Sequence, residues 1–259
     1  MEVSVQGLNH PNQDAAGSRD QTFWVLDGAT PLFPPVLGGG EVEGTVQRIS
    51  QHLFLHADRI CDLRILLEAA VKEVEQEYRQ SLRDFDAIEK YRLPTFACAL
   101  GRIEKNELSY LTLADCEIRT SLGKRFTDPS FAMTSAANRE NEKRILKKYG
   151  ADSFETMAEP QRKEALEEFW EMNRKQRMAL NTPGGYWVGS LDGTGIAHAF
   201  CGTVQLQEGE HVYAMSDGFA HLADADPVIL TIISEEEMKK RINELRYITD
   251  DDVTMIRMR

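Results

Sequence analysis

Four aspartates in this chain share one setting, because each stands at the end of an apolar run with the length and composition of a buried strand. They are Asp27 after residues 23–26, Asp115 after residues 108–114, Asp217 after residues 212–216 and Asp251 before residues 253–256. An ionised carboxylate in low-dielectric surroundings is costly unless it is paired or bound to a cation. Oxygen-only ligands favour a hard divalent ion, magnesium or manganese, over zinc, which usually takes His or Cys. The pattern therefore indicates a divalent cation site built from strand ends.

Two of these acids begin Asp-Gly pairs, which by themselves are typical of turns. Asp27-Gly28 and Asp217-Gly218 occur together with Asn12-Gln13-Asp14 near the start and an acidic triplet at 250–252 before the last apolar run. This combination favours carboxylates from opposed strands that bridge two cations, roughly 3.5 to 4 Å apart, with a water polarised between them.

The composition is that of an ordinary globular protein. The 259 residues are 42% hydrophobic and suffice for one large domain or two small ones. The formal net charge of -12 opposes attraction to nucleic acid or to anionic membranes, so we expect neither as a partner. Residues 1–6 show no secretory signal, no apolar run is long enough to span a bilayer, and the four cysteines are widely scattered. These features predict a cytoplasmic protein with reduced thiols.

Changes in periodicity divide the chain into elements. Residues 1–28 predict two strands separated by a polar turn through residues 10–20. The regions beginning at Glu41 and near Leu63 have the 3.6-residue spacing of two helices, which we expect to pair antiparallel. After Pro94 the period becomes two or the run becomes continuously apolar, which predicts strands.

The second half alternates between strand and helix signals. Three strands with tight connections are predicted over residues 95–122, and residues 138–178, rich in Glu, Lys and Arg, predict two charged helices with solvated faces. Strand signals then resume at residues 202–207 and 211–215, and a helix from residue 227 or 234 to residue 246 is predicted before the terminal strand at residues 253–258. We expect a single domain over residues 1–259 that carries a helical flap insertion over residues 135–180.

Taken in order, the acidic motifs resemble those of the metal-dependent type 2C protein serine/threonine phosphatases. The matching segments are Asn12-Gln13-Asp14-Ala15, Val25-Leu26-Asp27-Gly28, Leu113-Ala114-Asp115-Cys116, Ala214-Met215-Ser216-Asp217-Gly218 and Asp251-Asp252-Val253-Thr254. They follow the family's order along nearly the whole chain. The resemblance implies an α+β fold, a central antiparallel β-sandwich flanked by helices, with two metal ions at one end. It also implies that the charged insertion is the family's variable flap beside the active site and influences substrate choice.

The resemblance further implies roles for individual residues. The positions that match ligands of the two ions are Asp27 (the bridging carboxylate), Gly28 (through its carbonyl), Asp217 and Asp251. Asp14 matches an acid that either ligates an ion or supports the ligands, and Asp115 matches the acid that helps to hold a third, weaker ion. Within the acidic triplet, alignment on Thr254 selects Asp251 and leaves Asp252 where the family has asparagine.

Three positions depart from the family's pattern. Ala29 stands where eukaryotic members carry a histidine that protonates the leaving group, Asn9 stands where many members carry a phosphate-binding arginine, and Gln13 replaces an acid. His10 and Arg19 are candidates for replacing the arginine, so the substrate-binding residues stay open.

Other motifs favour structural explanations. His52 and His56 have the spacing of a zinc-binding pair on one helical face, but no glutamate follows the first histidine, and the sequence favours an ordinary core or surface pair. Ser216 resembles a nucleophile elbow, yet the last histidine, His221, precedes the 250–252 acids, which argues against a serine hydrolase. The glycines at 38–40 lack the rest of a nucleotide-binding loop.

The sequence therefore predicts hydrolysis of phosphate monoesters, on phosphoserine or phosphothreonine in protein substrates. Two magnesium or manganese ions, with Asp27 and Asp217 as the principal catalytic acids, would activate a bridging hydroxide for in-line attack on phosphorus. The alternative is a catalytically weak or inactive relative that serves as a binding or regulatory module, which Asn9, Gln13 and Ala29 favour. The oligomeric state stays open.

Overall fold

The computed structural model describes residues 2–6, 12–249 and 251–258. The strands are β1 (Glu2–Gln6), β2 (Asp14–Arg19), β3 (Thr22–Gly28), β4 (Thr95–Glu104), β5 (Glu107–Leu113), β6 (Glu117–Thr120), β7 (Arg125–Phe126), β8 (Gly189–Ser190), β9 (Phe200–Gln205), β10 (Val212–Met215) and β11 (Val253–Met258). The α-helices are α1 (Glu41–His56), α2 (Leu63–Ser81), α3 (Pro129–Lys148), α4 (Gln161–Met178), α5 (Asp217–Ala225) and α6 (Glu235–Glu244). Short 3₁₀ helices occupy Phe85–Ala87, Lys90–Arg92, Phe154–Thr156, Thr194–His198 and Pro227–Thr231.

The strands form two antiparallel sheets. The first sheet has the order β1-β11-β10-β6-β7, and the second has the order β2-β3-β4-β5-β9, with β8 pairing the start of β4. Their facing sides share one apolar core, to which the second sheet contributes Phe23 and Val25 and the first sheet contributes Ile118 and Ala214. The antiparallel sandwich predicted from the sequence is thus confirmed.

Strand β3 shows why the sheets stack as they do. Its alternate side chains are apolar on both faces: Phe23 and Val25 enter the core between the sheets, and Trp24 and Leu26 pack under the helices. Complete burial of such side chains contributes about 1.5–3 kcal/mol each, so the register of β3 is strongly determined. The same alternation places Asp27 on the inter-sheet side, at the end of the sandwich.

Helices cover both outer faces of the sandwich. Apolar residues of α1 and α2 pack on the second sheet, and those of α5 and α6 pack on the first. Helices α1 and α2 run antiparallel, since Thr45 contacts Tyr78 while His56, farther along α1, contacts Glu73. No α-helix within the described ranges combines the length and apolarity that crossing a bilayer requires.

The charged insertion consists of α3 and α4 and has a small core of its own. Ile145, Phe154, Met157 and Ala165 are buried against one another there. Helix α3 begins at Pro129, well before the predicted start at residue 138. The Asp128 carboxylate caps its first turn and Pro129 occupies the first helical position, a start signal that the charge-based boundary overlooked. The division into one domain with a flap over residues 135–180 stays a prediction.

The predicted polar turn over residues 10–20 is wrong for most of its length. Asp14–Arg19 forms strand β2, which pairs with β3 through the register Asp14↔Asp27 to Arg19↔Thr22. This segment has few β-branched or aromatic residues, so pairing to β3 overrides its weak propensity. Residues 10 and 11 lie outside the described residues. The consequence for the site is that Asp14 and Asp27 are cross-strand neighbours.

Candidate metal centre

Four strand-end aspartates meet in one cavity at the end of the sandwich. This acidic cavity, of about 330 Å³, is lined by Asp27, Asp115, Asp217 and Asp251. Two of them adjoin strands of each sheet. The four residues are distant from one another in sequence but line the same cavity. The structure thus brings together the acids that the sequence singled out, while their role as metal ligands stays a prediction.

The end of β3 is held in place by backbone contacts around Gly28. Its N–H donates to the Gln13 carbonyl at 3.1 Å, and the Ala29 N–H donates to the Thr95 carbonyl at 3.0 Å. A Cβ on Gly28 would lie 2.5 Å from Val42 Cγ1 and 2.6 Å from the Gln13 carbonyl oxygen. Only glycine therefore lets the chain pass here with Asp27 and the Gly28 carbonyl at the edge of the cavity.

Asp217 is positioned by the junction between β10 and α5. Ser216 is fully buried, its N–H donates to the Thr254 carbonyl at 3.0 Å, and its Oγ accepts from the Thr254 N–H at 3.1 Å. Gly218 packs against the Asp252 carbonyl so closely that a side chain would clash. Asp217 is the first residue of α5, where the helix dipole favours a negative charge. Since Ser216 is held inside this junction, it presents no nucleophile to the cavity.

The structure separates the neighbouring acids at the start of β11. Asp251 lines the cavity, whereas the Asp252 carboxylate is buried and accepts a hydrogen bond from the Gln13 N–H at 2.8 Å. Of the two acids, Asp251 is thus the one at the cavity, and its role as a metal ligand stays a prediction. Asp252 instead ties the segment before β2 to the segment before β11.

Asp115 follows a strained backbone position. Ala114 has φ 63°, in the left-handed region that a residue with a Cβ disfavours. Its N–H donates to Asp128 Oδ2 at 3.2 Å, and Asp128 Oδ1 accepts from the Ser130 N–H at 2.8 Å and from its hydroxyl at 2.6 Å. Asp128 thus helps to hold the turn from which Asp115 reaches the cavity. Sequence reasoning did not single out Asp128.

Asp14 lies behind the cavity lining rather than in it. It is 1% exposed, and neither carboxylate oxygen has a well-formed hydrogen bond among the described residues. Burial, followed by the charge of Asp252, raises the pKa of Asp14 to about 7. The Thr254 and Ser216 hydroxyls are near enough to oppose this shift without forming well-aligned bonds to the carboxylate.

The acids perturb one another strongly. Desolvation, followed by the charges of Asp14 and Asp217, raises the pKa of Asp27 well above its ordinary value. Asp115 reaches solvent through the open cavity, but protein atoms crowd its other sides, and this desolvation together with the Asp217 charge raises its pKa as well. Without a counter-charge, the ionised cluster is electrostatically unfavourable.

The insertion supplies one wall of the cavity. Phe131, Thr134 and Asn138 of α3 and Asn173, Gln176 and Arg177 of α4 line it. Among the described lining residues, Arg177 is the one cationic side chain. Sequence reasoning missed it because it is one of many basic residues in a charged segment, and only its burial, at 6% exposure, distinguishes it.

Arg177 also fixes α4 to the start of β4. Its Nε donates to the Tyr91 carbonyl at 3.0 Å, one Nη donates to the Leu93 carbonyl at 3.1 Å, and the other donates to Thr95 Oγ1. Burial lowers the pKa of Arg177, but a guanidinium stays charged in proteins. A rigidly held positive charge therefore lies in the wall of the cavity.

Of the two candidates that the sequence offered for phosphate binding, Arg19 lies away from the cavity. Arg19 donates to the Phe54 carbonyl at 2.8 Å and pairs with Asp58 at 2.7 Å, and it is not among the lining residues. Asn9 and His10 lie outside the described residues. Ala29 lines the cavity, and no His, Cys or Ser does so in the part of the chain that the structure describes.

Comparison with solved structures identifies the fold. The catalytic domain of the serine/threonine phosphatase PstP, solved with two manganese ions, matches with a TM-score of 0.61 and 13% identity, covering 99% of this chain and 95% of that one. The chain has the type 2C phosphatase fold. Mycobacterium tuberculosis PstP/Ppp (TM-score 0.57, 17% identity, 99% and 96% covered) and Staphylococcus aureus Stp1 (0.55, 13%, 99% and 92%) share this fold. No family model and no curated protein matches the sequence. At these identities, the type 2C phosphatase fold is what the likeness shows.

Proposed function

We propose that this chain is a divalent-metal-dependent phosphomonoester hydrolase that acts on phosphoserine or phosphothreonine in proteins. The observation that carries the proposal is the convergence of Asp27, Asp115, Asp217 and Asp251 on one open cavity. The fold neighbours that are serine/threonine phosphatases, one of them with two manganese ions, support it. We keep the expectation of a cytoplasmic protein without nucleic-acid or membrane partners as part of the proposal.

The donor set fits hard divalent cations. All candidate donors are oxygens, and Asp217 Oδ1 and both Asp14 oxygens are buried without a hydrogen-bond partner among the described residues. We assign Asp27, the Gly28 carbonyl, Asp217 and Asp251 to two magnesium or manganese ions, and Asp115 to a third, weaker one. Asp14 is placed to orient Asp27 from behind. When bound, such ions supply Lewis-acid charge and lower the pKa of a coordinated water.

The remaining lining residues would bind and orient the substrate. Arg177 would balance charge on a phosphoryl group, while Asn138 and Asn173 offer neutral hydrogen-bonding groups to the flanking peptide. The described lining contains no Cys, His or Ser, and hydrolysis would proceed through a metal-activated water rather than a covalent enzyme intermediate. The half-open shape lets a phosphorylated side chain enter from solvent.

A chromogenic aryl phosphate tests this proposal. We expect manganese-dependent hydrolysis that an excess of chelator abolishes and added manganese restores. General acid catalysis typically contributes about 10² to 10⁴ in rate, and alkyl leaving groups need the proton more than aryl ones do. Since Ala29 replaces the family's histidine, aryl phosphate should be hydrolysed faster than phosphoserine peptides. Equal rates would show that another group donates the proton.

The alternative, a binding or regulatory module, is favoured by Ala29, Gln13 and the absence of a histidine among the described lining residues. It predicts manganese binding and phosphopeptide binding without turnover. Purified protein that binds manganese but leaves both aryl and alkyl phosphates intact would replace the enzyme proposal by this one.

A further inference from the structure

A second group of metal-binding side chains lies between α1 and α2. His52 and His56, one turn apart on α1, face Glu73 on α2, and one donor atom from each lies within 4.8 Å of the other two. His56 Nε2 is 2.9 Å from Glu73 Oε1, and His52 Nδ1 is 2.5 Å from Glu73 Oε2. The two imidazole rings are nearly parallel, with an interplanar angle of 12°. These three residues together with Glu77 are called the histidine cluster below.

Glu77 determines which nitrogen of His52 carries a proton. His52 Nε2 is 2.8 Å from Glu77 Oε1, and an ionised carboxylate only accepts hydrogen bonds, so Nε2 carries hydrogen. In the neutral ring Nδ1 then carries a lone pair, which faces Glu73 Oε2. Two acceptors at that separation repel unless a proton or a cation lies between them. His52 Nδ1 is buried and makes no well-formed hydrogen bond among the described residues.

We propose that the histidine cluster binds one zinc ion, or a similar borderline divalent metal, through His52 Nδ1, His56 Nε2 and a Glu73 oxygen. Two imidazoles and one carboxylate are a donor set that zinc accepts, with water as the fourth ligand. Glu77 would hold His52 as carboxylates hold metal-binding histidines elsewhere. Nitrogen donors select zinc over magnesium or manganese, which the acidic cavity suits.

The geometry needs only a small adjustment. Donors around a tetrahedral zinc lie about 3.3 Å apart, given bond lengths of about 2.0–2.1 Å, so the two N···O separations to Glu73, 2.9 and 2.5 Å, must lengthen by less than about 1 Å. The two nitrogens, already within 4.8 Å of each other, need to approach by no more than about 1.5 Å. Their partial exposure allows this, because the His52, His56 and Glu73 side chains are 15%, 23% and 40% exposed. None of the three lines the acidic cavity. The proposed site is thus independent of the proposed hydrolase activity.

Zinc here would connect the two helices that cover the second sheet. An ion that binds the folded chain alone stabilises it by mass action. Free zinc at about 100 times the dissociation constant should raise Tm by roughly 5 to 10 °C for a chain of this size. Loss of the histidine cluster should leave manganese-dependent turnover at the acidic cavity unchanged, since none of its three ligands lines that cavity.

Zinc titration against a chromogenic chelator at pH 7.5 tests the site. Because the acidic cavity could also take zinc, we compare wild type with Asp27→Asn, with His52→Gln, His56→Gln and Glu73→Gln, and with His221→Gln as a control for an exposed histidine elsewhere. We expect the cluster variants to lose about one equivalent of zinc and the zinc-dependent rise in Tm. Asp27→Asn and His221→Gln should keep both.

Cobalt(II) gives a second measurement that does not depend on stability. Tetrahedral coordination with histidine nitrogens should produce strong visible absorption in wild type and in Asp27→Asn, and weak absorption in His52→Gln. Zinc binding that is lost only in Asp27→Asn, or equal binding in all variants, would overturn the proposal. So would the absence of any zinc effect on the Tm of Asp27→Asn, because a proton alone would then hold the cluster together.

Discussion

The acidic cavity and the histidine cluster both gather groups that bind cations, but the fold builds them in different ways. The cavity uses strand ends that are distant in sequence, so its geometry depends on the whole sandwich. The cluster uses residues one helical turn apart on two packed helices, so it depends on a single helix pair. In the cavity, neighbouring carboxylates raise one another's pKa, whereas in the cluster each carboxylate is paired with an imidazole. Burial of like charges, rather than the number of ligands, therefore distinguishes the candidate catalytic site.

The largest expected effect separates the two regions by activity. Asp27→Asn should lower kcat/KM by about 10³-fold or more, because metal-based charge stabilisation is worth several kcal/mol and each 1.36 kcal/mol is about tenfold. His52→Gln is the matched control and should retain the parent's rate. Steady-state hydrolysis of an aryl phosphate in manganese measures both. Activity of Asp27→Asn within about tenfold of the parent would contradict the assignment of this residue.

Arg177 tests whether positive charge in the cavity binds substrate. Arg177→Gln should raise KM by about 10-fold or more, since a hydrogen bond to a charged group contributes about 1.5–3 kcal/mol. Arg177→Lys keeps the positive charge but lacks the planar guanidinium, so its KM should lie between those of the parent and of Arg177→Gln. Neither side chain can reproduce the full set of arginine bonds to the Tyr91 and Leu93 carbonyls, so the KM difference between the two variants reports mainly the charge. Arg48→Gln, beside the histidine cluster, should leave KM unchanged.

The two regions should respond to pH in opposite directions when metal is absent. The pKa of Asp14 rises from 3.8 to about 7 on folding. Its contribution to the free energy of unfolding is therefore fully present below pH 3.8 and is lost as pH rises through about 7. Hydrogen bonding from His56 lowers the pKa of Glu73 below 4.5, so that contribution is present above pH 4.5 and is lost as pH falls.

Thermal unfolding in chelator measures this contrast. The Tm gain from Asp14→Asn over wild type should grow between pH 4 and pH 7, while the Tm loss from Glu73→Gln should shrink as pH falls below 4.5. Manganese should remove the gain from Asp14→Asn, because cations offset the repulsion. A gain that is independent of pH would show that Asp14 is not a desolvated acid in the folded protein.

The smallest effect concerns backbone strain, which is found beside the cavity acids. Ala114→Gly should stabilise the protein by about 0.5–1 kcal/mol, because it relieves a left-handed conformation at some cost in chain entropy. Lys105→Gly is the matched control, since Lys105 has φ 56° in a hairpin turn far from the acids. Both should raise Tm by a similar amount, and only Ala114→Gly should change the manganese concentration that gives half-maximal activity. Identical activity profiles would remove any role of this turn in placing Asp115.

Sequence reasoning succeeded where the signal was local and repeated. The end of an apolar strand followed by an acid is visible in the chain, and four such ends meet in the structure as their common setting suggested. The individual strands followed from the same runs, whereas their arrangement as a sandwich was implied by the family resemblance. Strand β2 was missed, because its pairing with β3 comes from tertiary contacts rather than from its own residues.

Residues that act through distant contacts gave no local signal. Glu73 is 17 residues from His56 and on another helix, so the carboxylate missing from the histidine pair could not be found from spacing. Arg177 looked like an ordinary charged residue of the solvated segment at 138–178, and nothing near Asp128 in the sequence distinguished it. Only burial and their bonds to β4 and to the Ala114 amide reveal what they hold.

The Asp128 carboxylate makes hydrogen bonds to two separate parts of the chain. One oxygen accepts from the first turn of α3, and the other accepts from the peptide that precedes Asp115. A tilt of α3 is therefore transmitted to the Asp115 turn through a single side chain. We therefore expect substitutions that reposition α3 to change metal affinity at the proposed Asp115 position as well as the proposed substrate-binding wall of the cavity.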